Sequence, residues 1–594
     1  MPGTLHLADR GTLVLQRIED LEPAAQAALD AYLRAQADGG EVFPEARVIA
    51  TTREDLASLA RAGAFPASLA DRLLGALLPM PPLRERNRDI LPLANLFLDE
   101  LGQHGQAPAL KLTASAERAL LSAPYRHHNV LELREAVEFA AVLAEEGEIR
   151  GEHIFTGPKG EASSLELDVS DLPLVARLVR GNWLREIRWA VLAIFLAMAL
   201  VCLTAGGTLA GRIANHATWA LWWPGLMLLF LFVGRVWCSI CPVSAGGRAA
   251  RWMGSLNRPP PTLWLRKYSD WLMASLFVVI VWSEYVFDMN RQPFGTGVLL
   301  LALMSAAAVF GLIYQRELWC RYLCPLGSLG ASYAAAAPFQ VRATASICAA
   351  RCTTHECAKG TGSRPGCPVF HHPLFTRDAH FCKLCLECVR HCPNSSARLY
   401  LRPPLWNVWA LSDLSSVPVP LALTAFLLSL LLLATYDPAW PAGWTFFSAA
   451  VALTCGLVPA LRRLLPRLLC RDADPDPGIG ARVAVALLIL SWGPFMAFHL
   501  QHIPWLPDLR VQAMAGLRGA GNAAAPGLTL LALLQLAAIA IAAAFAAITL
   551  WRIGARFVRQ GGRLSTWGWR TLQGGCLAYL AISVGLVLRR GLHL

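Results

Sequence analysis

The strongest constraint on this chain is a series of long apolar segments. Nine stretches, near residues 188–206, 217–236, 269–288, 298–315, 416–435, 444–461, 481–500, 527–551 and 571–588, are each apolar over enough length to cross about 30 Å of hydrocarbon. Inside a bilayer every backbone N–H and C=O must find its partner within the segment or in a closed barrel. Segments of this length therefore predict a bundle of helices. With 55% hydrophobic and only 16% charged residues, the 594-residue chain is too apolar for an ordinary soluble protein. Its net charge of +12 invites a nucleic-acid reading. The arginines, however, stand mainly at the ends of apolar segments, where they orient a membrane protein, so no nucleic-acid partner is expected.

That distribution also predicts sidedness. Arg177, Arg180, Arg185 and Arg188 precede the first apolar segment, and Arg248, Arg251, Arg258, Arg266 and Lys267 lie between the second and third. Arg462, Arg463, Arg467 and Arg471 follow the sixth, and Arg552, Arg556, Arg559 and Arg563 follow the eighth. The alternating loops, such as residues 436–443, carry little positive charge, although Arg589 and Arg590 run against the pattern. The positive-inside rule puts the polar front of the chain and the insert at 338–404 in the cytoplasm, at a bacterial inner membrane, and leaves the C-terminus outside. The N-terminus is polar and mixed in charge, without the apolar core of a signal peptide.

The insert carries the most specific chemistry. Cys382-Lys383-Leu384-Cys385-Leu386-Glu387-Cys388-Val389-Arg390-His391-Cys392-Pro393 is the spacing C-x2-C-x2-C-x3-C-P, which binds a [4Fe–4S] cluster in bacterial ferredoxins. Zinc is the rival, but structural zinc sites use two separated cysteine pairs. A second, looser group precedes it: Cys348, Cys352, Cys357 and Cys367-Pro368. In two-cluster ferredoxins the fourth cysteine of each run serves the other cluster. Cross-pairing here gives Cys382, Cys385, Cys388 and Cys367 for one [4Fe–4S] cluster, and Cys348, Cys352, Cys357 and Cys392 for the other. The alternative for the second set is a degenerate or zinc-filled site. Clustered thiols of this kind, among 16 cysteines in all, read as metal ligands in a reducing compartment and not as disulfides.

Two further pairs stand at segment ends. Gly234-Arg235-Val236-Trp237-Cys238-Ser239-Ile240-Cys241-Pro242 closes the second apolar segment, and Leu318-Trp319-Cys320-Arg321-Tyr322-Leu323-Cys324-Pro325-Leu326-Gly327 follows the fourth. Two thiols and a proline, twice, at equivalent places suggest an internal repeat. Soft sulfur suits Cu(I), iron–sulfur or a redox-active dithiol, against the bland reading of inert buried cysteines. Cys202, Cys455, Cys470 and Cys576 are isolated, and there the bland reading wins. His499 and His502, with His216, fall at the outer ends of apolar segments, where imidazoles could bind haem, copper or a quinone or simply hydrogen-bond at the headgroups. His371, His372, His380 and His391 lie near the clusters and fit potential-tuning hydrogen bonds.

Residues 234–242 and 319–327, followed by the ferredoxin run, resemble the membrane polyferredoxins of the NapH/NosR type over roughly 185–405. That resemblance implies electron transfer between the cytoplasmic side and a membrane or periplasmic acceptor, in support of a periplasmic reductase of nitrogen-oxide respiration. The chain departs from the pattern in its C-x2-C-P first motif, its extra apolar segments after 405 and its lack of a periplasmic flavin-binding domain.

Residues of about 9–155 resemble the C-terminal half of the AAA+ domain of sigma-54-dependent activators. The matching pieces are Gly11 to Leu15, Arg47 to Leu56, Pro82 to Ile90, and Asn129-Val130 with Glu132. Amphipathic helix patterns run over residues 22–34 and 130–144. The phosphate-binding loop G-x4-G-K-[ST] is missing, and Gln16-Arg17 stands where the resemblance implies an acidic pair. Pro66 replaces an arginine of the finger region, Arg72 survives, and Leu131 replaces a nucleotide-sensing arginine. No ATPase activity is expected, which leaves a docking or regulatory role or a vestigial appendage.

The expected fold is mainly α: a polytopic helical membrane protein of about nine spans, with a two-cluster ferredoxin-type insert and a degenerate AAA+-like α/β fragment in front. Its divisions are 1–165, 185–337, 338–404 and 405–594. The expected function is membrane electron transfer from a cytoplasmic or membrane donor to a membrane or periplasmic acceptor. The alternatives are a copper reductase or metal-centre assembly factor, and a redox-sensing membrane regulator. Two [4Fe–4S] clusters are the expected cofactors, with copper, haem and quinone as further candidates.

Overall fold

The computed structural model describes residues 4–591, apart from 39–44, 104–109, 156–165, 257–262, 377–381, 411–417, 436–442, 471–476, 501–526, 560–563 and breaks of one to three residues elsewhere. It divides into two compact units, Met1–Arg86 and Asn87–Leu594.

In the first unit the strands Thr12–Leu15 and Arg47–Ala50 pair in parallel, with Leu13 opposite Val48. Helices Pro23–Ala37, Leu56–Arg61 and Ala67–Leu74 close a small core around Ile18, Leu29, Phe65 and Leu69. Pro23 occupies the first turn of its helix, where its missing N–H has no intrahelical partner to lose. Asp55 caps the next helix by accepting from the Ala57 amide at 3.1 Å. The surviving Arg72 lies 3.6 Å from Asp30, which also accepts from Arg34 at 2.6 Å.

The second unit is mainly helical. Its first part holds helices Ile90–Gln103, Ala114–Leu121 and Val130–Leu143. The last buries Leu133, Ala136, Val137, Ala140 and Leu143, residues three and four apart that share one face. These helices belong to the unit that begins at Asn87. Among the described residues seven helices are long and apolar enough to cross a membrane: Trp183–Thr204, Tyr268–Val286, Pro293–Ile313, Trp444–Leu469, Ile479–Leu500, Leu531–Val558 and Thr566–Arg589. The apolar window of Ile479–Leu500 is 94% buried, which makes it the central helix of the bundle.

Two of the nine expected segments take other forms. Residues 217–236 belong to a helical path that starts at Leu209–His216, widens into a π-helix at Ala217–Trp222 and ends with Trp223–Phe232. Residues 416–435 give the shorter apolar helix Val419–Ala434.

The insert is anchored by an antiparallel sheet in which Ala397–Leu401 lies between Phe339–Ala343 and Leu167–Asp168. The third strand comes from ahead of the first apolar helix, so the sheet ties the insert to the approach to the bundle.

Candidate functional site

The ferredoxin run forms a loop and a short helix, Glu387–His391. Leu384 and Leu386 adopt φ of 52° and 59°, values that bulky residues rarely accept. Alternating hands along a loop turn successive amides inward into an anion-binding concavity, and the Leu384 amide donates to Cys382 Sγ at 3.4 Å. Cys382, Cys385 and Cys388 line one cavity of about 30 Å³ together with Cys367. These are the four residues that cross-pairing predicts. Of the partner set, Cys348 and Cys357 each lie within electrostatic reach of one another and of Cys352 and Cys392. Cys348 Sγ sits 3.3 Å from Ser396 Oγ, and the Ser396 amide donates to Cys392 Sγ at 3.2 Å.

The segment-end pairs converge as well. Cys238, Cys241, Cys320 and Cys324 line a second cavity of about 30 Å³, walled by Trp222, Phe230, Trp237 and Trp319. Small residues make this convergence possible. Helix Pro242–Met253 meets Pro293–Ile313 backbone to backbone: a Cβ on Gly247 would stand 2.9 Å from the Ala307 carbonyl, and one on Gly311 would stand 2.3 Å from that of Gly247. Gly234, at φ of 100°, turns the chain from Trp223–Phe232 into Val236–Ile240, which carries Cys238. A Cβ there would meet Leu384 of the ferredoxin loop at 3.2 Å.

The charges explain what this second cavity can hold. The Arg235 guanidinium, 4% exposed, faces Cys238, Cys320 and Cys324. The Lys383 ammonium, 2% exposed, donates to Glu317, to Ser244 Oγ at 3.0 Å and to Cys320 Sγ at 4.0 Å. Glu317 also accepts from Arg248, with Arg251 at 3.9 Å. Although burial alone would raise it, Arg248 and Lys383 hold this carboxyl well below the usual carboxylate range. Glu317 thus faces Arg248, Arg251 and Lys383, with Arg188 also within electrostatic reach, while Arg235 faces the thiols. Uncompensated buried positive charge is costly, so the site favours ionised sulfur. Yet burial pushes the Cys241 thiol up to about 12 and the Cys320 thiol up to about 11. Free thiols at Cys241 and Cys320 stay protonated near neutral pH; coordination to metal is what ionises them. Among the described residues no three His, Cys, Asp or Glu groups lie close enough to share one metal ion.

The cavities adjoin. The Glu317 amide donates to the Pro368 carbonyl at 3.0 Å, Arg316 to the Cys367 carbonyl at 3.1 Å, and Arg321 to that of Val369 at 2.6 Å. The helix bearing Cys320, Leu318–Tyr322, is thereby clamped to the segment bearing Cys367.

The histidines divide. His372 Nε2 lies 3.4 Å from Cys357 Sγ, whereas His371 meets Thr376 Oγ1 at 2.6 Å and His391 faces Glu387 at 3.5 Å. His499 is fully buried among Trp223, Phe495 and Phe498, with ring centroids 5.9, 6.5 and 4.9 Å away. It is buried inside the bundle at the end of helix Ile479–Leu500. His502 and His380 lie outside the described residues. Sequence reading passed over Lys383, Glu317, Arg235 and His355. For Lys383 a signal existed, a lone cation inside a cysteine run.

Residues 215–258 and 296–335 match the 4Fe-4S binding domain family, and residues 84–167 match the AAA+ ATPase lid domain family. The first match contains Cys238, Cys241, Cys320 and Cys324. The chain is 31% identical over 209 residues to the hydrogenase transcriptional regulatory protein HoxA of Cupriavidus necator, covering 30% of this chain and 42% of that protein. Over 200 residues it is 33% identical to the Nif-specific regulatory protein of Azotobacter vinelandii, covering 31% and 38% respectively. Over 201 residues it is 33% identical to the response regulator protein PilR of Pseudomonas aeruginosa, covering 32% and 45%. The chain spans about two-fifths of the length of these curated relatives. It thus carries a 4Fe–4S binding domain and an AAA+ lid domain, together with apolar helices that fit a membrane protein.

Proposed function

We propose that this chain is a membrane-bound iron–sulfur electron-transfer protein with three [4Fe–4S] sites in series. Cys348, Cys352, Cys357 and Cys392 form the distal site, Cys367, Cys382, Cys385 and Cys388 the middle one, and Cys238, Cys241, Cys320 and Cys324 the one at the membrane edge. When bound, the clusters supply one-electron chemistry. The protein's part is to hold them close, dry and electrostatically balanced.

The observation that carries the reading is Lys383. It belongs to the ferredoxin run between Cys382 and Leu384, yet its ammonium reaches Glu317 and Cys320 in the membrane-edge site. One residue thus serves two four-cysteine cavities. Cys357 is likewise within electrostatic reach of Cys388, joining the distal set to the middle one. Amide donors to Cys382, Cys392 and Cys324 (Gly327 at 3.2 Å) stabilise ionised sulfur and set potentials.

In this reading the arginine pattern supports an insert on the cytoplasmic face of a nine-span inner-membrane protein, with the interrupted path through Trp223–Phe232 and the helix Val419–Ala434 as the two further crossings. The donor then approaches the distal site from the cytoplasm, and the acceptor lies in the membrane or beyond it, as in a polyferredoxin. The test is metal content. Anaerobically purified protein should hold about twelve iron and twelve acid-labile sulfide per chain. Cys320→Ser with Cys324→Ser should lower both by about four while leaving the ferredoxin-type EPR signals. An unchanged count in that variant overturns the membrane-edge cluster.

A further inference from the structure

We infer that the ATPase-lid segment, residues 87–155, docks through Phe139 on the histidine pair beside the distal cysteine site and is latched in place when that site is loaded. The inference rests on the distal site binding a cluster, as proposed above. Helix Val130–Leu143 buries its apolar face within the lid, against Ile90–Gln103, and carries Phe139 toward the insert. The Phe139 ring stands edge-to-face on two imidazoles, His355 at 4.9 Å and His372 at 4.8 Å between centroids, and on Phe375 at 5.0 Å. Those imidazoles touch each other, His355 Nδ1 to His372 Nε2 at 3.1 Å, and His372 Nε2 lies 3.4 Å from Cys357 Sγ. Phe139 also packs on the apolar group that contains Cys348. A second latch lies one turn away, where the Lys359 ammonium donates to the Val142 carbonyl of the same helix.

Lid helix, histidine pair and thiol therefore form one contiguous stack. Its far end is Cys357, a thiol of the distal set. A loaded site fixes Cys348 and Cys357, and through them the imidazole pair on which Phe139 rests. An empty site frees those imidazoles and removes the surface under the helix. A segment without a phosphate-binding loop thus acquires a use of its own: its order reports whether the distal cluster is present.

The experiment is hydrogen exchange on the full chain in detergent, in three states: anaerobically loaded, stripped with ferricyanide and EDTA, and reconstituted with iron and sulfide. Stripping should speed exchange across residues 130–143, and reconstitution should restore protection, while the central helix Ile479–Leu500 stays protected throughout. Phe139→Ala should leave the iron count unchanged yet make the loaded protein exchange in 130–143 as the stripped protein does. Identical exchange in loaded and stripped protein overturns the latch. If Cys357→Ser leaves the iron count unchanged, the distal site itself fails, and that outcome is read from iron alone.

Discussion

Lys383→Met tests the charge balance of the membrane-edge site. The wild-type ammonium is 2% exposed and shared among Glu317, Ser244 and Cys320. Removing one partner of a buried ion pair costs about 3–5 kcal/mol, because the other charge remains buried. Glu317 keeps Arg248 on its second oxygen, so the lower figure applies: about 3 kcal/mol, or roughly a 150-fold shift in the opening equilibrium. The assay is hydrogen exchange at amides 383–386, beginning with Leu384, whose N–H bonds Cys382 Sγ. Exchange there should accelerate by that factor, with earlier thermal release of iron. Adding Glu317→Gln also strips Arg248 and Arg251 of their carboxylate and should deepen the loss. A single variant that exchanges like wild type, or a double variant no worse than the single one, refutes the reasoning.

Three other expectations follow from separate features. Burial pulls the His153 imidazole down to about 4, and its Nδ1 accepts from the Arg150 amide at 3.1 Å. An unfolded histidine takes its proton near 6.5, so the lid segment should lose up to about 3 kcal/mol as pH falls from about 6.5 through 4. Exchange rates corrected for their intrinsic pH dependence should show it, and His153→Asn should flatten the profile; a flat wild-type profile counts against it. The segment 1–165 should show no magnesium-dependent ATP turnover, since it has no phosphate-binding loop and Arg17 pairs with Asp20 at 2.8 Å where an acidic pair is expected. Turnover abolished by mutation within the segment would refute this. Reporter fusions at residues 165 and 400 should both read cytoplasm, and fusions near 440 and 510 periplasm; an external signal at 400 would put the insert on the wrong side.

Several features were legible in the sequence because they depend on neighbours along the chain. The run from Cys382 to Cys392 sets three thiols two residues apart, and Cys367-Pro368 supplies the fourth by the ferredoxin rule, so the four-cysteine cavity was readable from spacing. The apolar stretches likewise gave seven membrane-length helices. Their limits lay where backbone geometry intervened, at the π-helix of Ala217–Trp222 and the short Val419–Ala434. Only the tertiary structure decided that Cys238 and Cys241 share a cavity with Cys320 and Cys324. The pairs lie some 80 residues apart, and they meet because Gly247 and Gly311 let two helix backbones touch. The bond from Lys383 to Glu317 and the stacking of Phe139 on His355 and His372 are of the same kind. Local spacing fixes what a loop can ligate; long-range packing fixes which loops come together, and no periodicity along the chain encodes that meeting.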